Sequence, residues 1–173
     1  MARATWGALA VGLAATMLGG CAMKVNRVQM DPTRLAGKVE RKVACAYRQG
    51  EVVDARPSTG RAGGLSEHLF LVDDAAAIVR GRMTAVGIAL QGEGDTVDVK
   101  VLHMYMTQNL GTKIPVVVLS ATAGQQPAFT LRSQKPSMNW NGTEDEAYAG
   151  YARALDDAMA QLVARLDAGC RKG

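Results

Sequence analysis

TVDVKVLHMYMT at residues 96–107 and IPVVVLSAT at residues 114–122 decide how this chain folds. In the first stretch Val97, Val99, Val101, His103 and Tyr105 alternate with Asp98, Lys100, Leu102, Met104 and Met106. A period of two puts each set on its own face of a strand. The second stretch is more continuously apolar, and its Pro115 falls near the start, where a missing N–H is tolerated. Gln108–Lys113 between them carries Asn109 and Gly111 and reads as a hairpin loop. Ala123–Pro127 turns the chain again, and Ala128–Ser133 adds a short strand with Phe129 and Leu131 directed inward. Three strands joined by short loops make an antiparallel meander.

Working outward, Val43–Val53 (VACAYRQGEVV) also alternates and reads as a strand, bulged at Gly50. From Asp73 the period changes. Leu71, Ala75, Ile78, Met83, Val86 and Leu90 share one side of a helix, with Arg80 and Arg82 elsewhere on its circumference. Asp73 or Asp74 caps its start, and Gly92-Glu93-Gly94-Asp95 stops it. Ser58–Glu67, with Gly60, Gly63 and Gly64, lacks the spacing of a phosphate-binding loop and reads as a flexible surface loop. Downstream, Asn141-Gly142 marks a tight turn and Thr143-Glu144-Asp145-Glu146 is a capping box. The helix it opens runs to about Ala168, with Tyr151, Leu155, Ala158, Leu162 and Leu166 down one face, and Gly169 ends it.

These elements predict an α+β domain: a single mixed four-stranded sheet in the order strand-helix-strand-strand-strand-helix, with two helices packed on one face. The helical crossover makes the first two strands parallel. The last helix returns beside the sheet and brings Cys170 towards Cys45, near the start of the first strand. In an oxidising compartment such a pair is expected to bond, the alternative being a buried thiol at 45 and a free one at 170. Closing so long a loop contributes about 4–5 kcal/mol in the chain-entropy model.

The N-terminus sets the compartment. Arg3 is followed by an uncharged run from Trp6 to Met17, then Leu18-Gly19-Gly20-Cys21, then a polar stretch with Lys24, Asn26, Arg27 and Gln29. A basic start, an apolar run of about a dozen residues and a small-residue cleavage site describe a secretory signal, too short to span a bilayer permanently. The alternatives are an ordinary signal with an incidental Cys and a buried first helix. Leu-Gly-Gly-Cys resembles the lipobox of bacterial lipoproteins. That resemblance implies cleavage before Cys21, a diacylglycerol thioether on its sulfur and acylation of its new amino group. Ala22, rather than Asp, follows Cys21; the resemblance implies sorting to the outer membrane, facing the periplasm. Removing residues 1–20 leaves 153 residues, enough for one domain. The expected division is a signal peptide at 1–20, acylated Cys and tether at 21–42, and an α+β domain at 43–173. Within the tether, Asp31-Pro32 breaks the chain, and a short added strand is the alternative.

The chain has 20 basic and 16 acidic residues, scattered rather than clustered, which argues against nucleic-acid binding. Only His68 and His103 are present, with no G-x-S-x-G or Ser-x-x-Lys, so no catalytic residue is assigned and no enzyme is expected. His103 and Tyr105 face away from Met104 and Met106, so the four do not converge on a metal ion, and no metal or cofactor is assigned. Core packing accounts better for the methionines. Asp73-Asp74 and Asp156-Asp157 read as a helix cap and a solvated face. Trp140, in a loop beside a helix start, is either a binding anchor or a lid on the core. Arg61 and His68 fall at the same end of the expected sheet and with Trp140 form a candidate partner surface.

The lipobox, the first strand ending in Asp54-x-Arg56-Pro57 and the closing capped helix together resemble the auxiliary lipoproteins of ABC-type lipid transport systems and the YajG-like lipoproteins. The expectation is a non-enzymatic adaptor of an envelope assembly that moves lipid or builds the cell wall, held to the membrane by its N-terminal acyl anchor. A carrier with an apolar pocket between helices and sheet is the alternative.

Overall fold

The computed structural model describes residues 25–35, 41–65, 68–109, 112–133, 138–139 and 143–170. The meander forms as expected. β5 (Asp95–Asn109) pairs antiparallel with β6 (Thr112–Ala123), and β6 with β7 (Phe129–Arg132). β2 (Tyr47–Asp54) lies parallel to β5 and closes the order β2-β5-β6-β7, while β8 (Met138–Asn139) pairs with the start of β6. The β2 register shifts between Gln49 and Val52, at the glycine expected to bulge. A Cβ on Gly50 would stand 2.0 Å from Asp98 Oδ1. That oxygen instead accepts the Glu51 backbone N–H at 2.7 Å.

A single four-stranded sheet is not the whole architecture. A second, three-stranded sheet has the order β1-β4-β3: β1 (Asn26–Gln29), β4 (His68–Val72) and β3 (Gly60–Leu65). The stretch read as a flexible loop is therefore largely strand. β3 lies along the second half of β5, with Gly63 at φ +76° placing its Cα against the Tyr105 and Met106 backbone. No residue with a Cβ fits at 63 without displacing β5, whereas Gly64 packs against His68 O of β4. The tether also needs correcting. Val28, Met30 and Leu35 are almost wholly buried, so β1 and the 3-10 turn Pro32–Leu35 belong to the domain.

A second correction concerns the faces of β5. Its register shifts between Val101 and His103, which inserts one residue and reverses the alternation. Val97, Val99 and Val101 therefore share the buried face with Met104 and Met106, while His103 is exposed and Tyr105 half-buried. Their partners Ala123, Ala121, Leu119 and Val117 complete that face.

α1 (Ala75–Ala85) is capped by Asp74, whose carboxylate accepts from Ala77 N at 2.7 Å. It stops at Val86 rather than near Gly92, because Gly87 turns the chain at φ +93°. Leu90 is left 65% exposed, Leu71 lies in β4, and Arg82 is buried against expectation. α2 (Glu144–Cys170) opens with the reciprocal capping box between Thr143 and Glu146 and runs through Gly169. Its predicted face, Tyr151 to Leu166, is buried. The helices touch through an Arg82–Asp156 ion pair. Cys45 and Cys170 form the expected disulfide, with their Cα atoms 6.5 Å apart.

Candidate functional site

The two sheets meet where β2 ends, and one side chain holds the junction. After Asp54 the chain leaves the β5 ladder, and Arg56 turns inward to 5% exposure. Its guanidinium donates to both Asp54 oxygens at 2.7 and 2.6 Å, to Arg61 O at 2.9 Å and to Val72 O at 2.8 Å. One cation thus neutralises the carboxylate that ends β2 and satisfies carbonyls on β3 and at the end of β4. The hydrogen bonds from Arg56 hold the Asp54 carboxyl below the usual carboxylate range. Asp54-x-Arg56 is accordingly the joint between sheets.

Tyr151 supports the same joint from α2. It is fully buried, packs edge-on to Phe70 with ring centroids 5.9 Å apart, and donates its hydroxyl to Ala62 O on β3. Burial pushes its phenol well above the ordinary range, so it keeps the proton that it donates to Ala62 O. Tyr148 does similar work at β1, donating to Gln29 O at 3.1 Å and accepting from Asp31 N at 2.7 Å, with the Arg34 guanidinium 3.6 Å above its ring. Arg82 ties α1 to the 3-10 turn through Leu35 O and to α2 through Asp156; burial lowers its pKa while Asp156 opposes the shift. Near the disulfide, buried Asp167 accepts from Arg41 at 2.6 Å and Ala44 N at 2.9 Å.

Outside the joint lies an open cleft of about 370 Å³ between the sheets, lined by Arg56, Arg61, Leu69, His103, Met104 and Tyr105 among others. Arg56 is committed to the joint, so the exposed guanidinium of this lining is Arg61, with the His103 imidazole also exposed. His103 stands edge-on to Tyr105 with centroids 6.2 Å apart, and Arg132 reaches the Tyr105 hydroxyl at 3.4 Å. A guanidinium, an imidazole and a phenol around an apolar floor offer hydrogen-bond donors that suit a carboxylate-bearing or otherwise anionic surface.

The predicted surface residues do not gather as one site. Arg61 lines the cleft, opposite Leu71 on β4. His68 begins β4 opposite Leu65, at the other end of that ladder, and is half-buried with its ring 6.5 Å from Phe70. Three residue steps along a strand separate the two positions by about 10 Å. Trp140 and Cys21 lie outside the described residues. The sequence puts His103 and Tyr105 on one face with Val97, Val99 and Val101, because the β5 bulge that turns them outward carries no local signal there.

The centre of the space between the helices and the larger sheet is filled by Val97, Val99, Leu119, Tyr151, Leu155 and Leu162, each at most 1% exposed. An open groove of about 510 Å³ remains at the sheet edge between α2 and β7, lined by Phe129, Leu131, Gln161 and Arg165 among others. Among the described residues no group of three His, Cys, Asp or Glu side chains is arranged to hold a metal, and no helix is long and apolar enough to cross a membrane. No family model matches the chain, and no curated protein matches it.

Proposed function

We propose that this chain is a bacterial lipoprotein whose domain acts as a non-enzymatic adaptor in an envelope assembly, anchored at Cys21 in the outer membrane and facing the periplasm. The observation that carries it is the lipobox Leu18-Gly19-Gly20-Cys21, placed after a basic start and a short apolar run. The Cys45–Cys170 disulfide agrees with an oxidising compartment. The centre of the space between helices and sheet is filled and the groove between α2 and β7 is open to solvent, which favours an adaptor over a carrier that encloses its ligand there. The adaptor's contact surface is the cleft around Arg61, His103 and Tyr105.

The test is a cross-linked pull-down of tagged, full-length protein from detergent-solubilised envelopes, run beside Arg61→Glu and Cys21→Ser variants. A transporter or cell-wall synthase held by the parent protein and lost on Arg61→Glu is the expected result. Acylation at Cys21 confirmed by mass, with an empty pull-down and lipid recovered from the acyl-free domain, would replace the adaptor with a carrier.

A further inference from the structure

Strand and helix directions give this domain two poles. At one, the β2 start pairs Tyr47 with Asp95, Tyr47 donates its hydroxyl to Leu166 O at 2.9 Å near the end of α2, and Cys45 is bonded to Cys170. At the other, Asn109 pairs with Thr112 at the hairpin, Asn139 of β8 pairs with the same Thr112, and α2 begins five residues later at Glu144. The 27 residues of α2 separate these poles by about 40 Å.

The direction of the small sheet decides where the chain enters. β3 passes from Arg61, beside Arg56, to Gly63, against Tyr105 and Met106, so it runs towards the hairpin pole. β4 is antiparallel to β3, and β1 is parallel to β4. β1 therefore starts at the hairpin pole, with Asn26 opposite His68. Cys21 stands five residues before Asn26, a span of about 17 Å at full extension. A tether of some twenty residues would have freed the domain from the surface; this one does not.

Resting on the acylation of Cys21 argued above, we propose that the hairpin pole is the lipid-facing pole, and that the disulfide pole points away from the membrane. Val25 is 52% exposed at this pole and Arg27 is exposed beside it. An apolar side chain for the interface and a guanidinium for phosphate headgroups suit contact with an anionic lipid surface.

The experiment uses acylated, disulfide-bonded protein in vesicles of phosphatidylethanolamine and phosphatidylglycerol carrying a headgroup nitroxide. A fluorophore is placed by Asn26→Cys or Thr112→Cys at the hairpin pole, or by Gln125→Cys at the disulfide pole. The expected result is strong quenching at 26 and 112 with little at 125. Equal quenching at all three, a domain lying flat, would overturn the proposal, as would none at 26 and 112. In either case a mass confirming acyl chains on Cys21 leaves the lipoprotein reading intact. A mass without them removes that reading and the orientation together.

Discussion

Replacing Arg56 with Met tests whether the joint between sheets is a single buried cation. The substitution keeps most of the side-chain volume and removes every hydrogen bond of the guanidinium. It leaves the Asp54 carboxylate, whose side chain is 16% exposed, with the Arg56 backbone N–H but no cation, and strands the carbonyls of Arg61 and Val72. Breaking a buried pair from one side costs about 3–5 kcal/mol, and a carboxylate that keeps some water lies at the lower end, so we expect a loss of about 3 kcal/mol. Equilibrium urea unfolding followed by circular dichroism measures it. Asp54→Asn with Arg56→Met completes a double-mutant cycle, with an expected coupling of about 1.5 kcal/mol or more. The pH arm has a defined sign. Arg56 lowers the folded pKa of Asp54 below its unfolded value, so that stabilisation is present above about pH 4 and is lost as pH falls through the folded pKa. The parent protein should therefore lose stability in acid more steeply than Arg56→Met. A loss below about 1 kcal/mol, additive single substitutions, or parallel acid profiles would refute the joint.

Two further perturbations examine the frame around the joint. Replacing Cys45 and Cys170 together with Ser removes a cross-link spanning 125 residues, and should lower stability by about 4–5 kcal/mol in urea unfolding. A change under about 1 kcal/mol would mean that the cross-link constrains little beyond the contacts already there. Gly63→Ala and Gly60→Ala share positive φ, at +76° and +81°, but differ in space: a Cβ at 63 lies 2.8 Å from Met106 N, and one at 60 has no neighbour nearer than 4.0 Å. Both should cost about 1–2 kcal/mol for the backbone, with a further penalty at 63 alone. Equal thermal shifts would contradict the close packing of β3 on β5.

What could be read from the residues alone was the part governed by local period and capping. The 96–122 meander announces itself by alternation and a hairpin loop, and α2 by a capping box and an unbroken apolar face. The disulfide followed from these, because a helix returning from the last strand has one end at which to finish. The small sheet had no such signal. β3 is half glycine and β1 is four residues long, so neither carries a pattern distinct from a loop. They are strands because β4 lies between them and β5 backs β3, which are contacts distant in sequence. The same holds for Arg56 and Arg82, charged residues whose burial is stable only beside carbonyls and carboxylates supplied by other elements. One bulge after Val101 exchanged the faces of half a strand, and with them the placing of His103 and Tyr105. Local propensity therefore determined the meander and the helices, whereas long-range pairing and buried hydrogen bonding decided the second sheet, the cleft and the pole at which the chain enters.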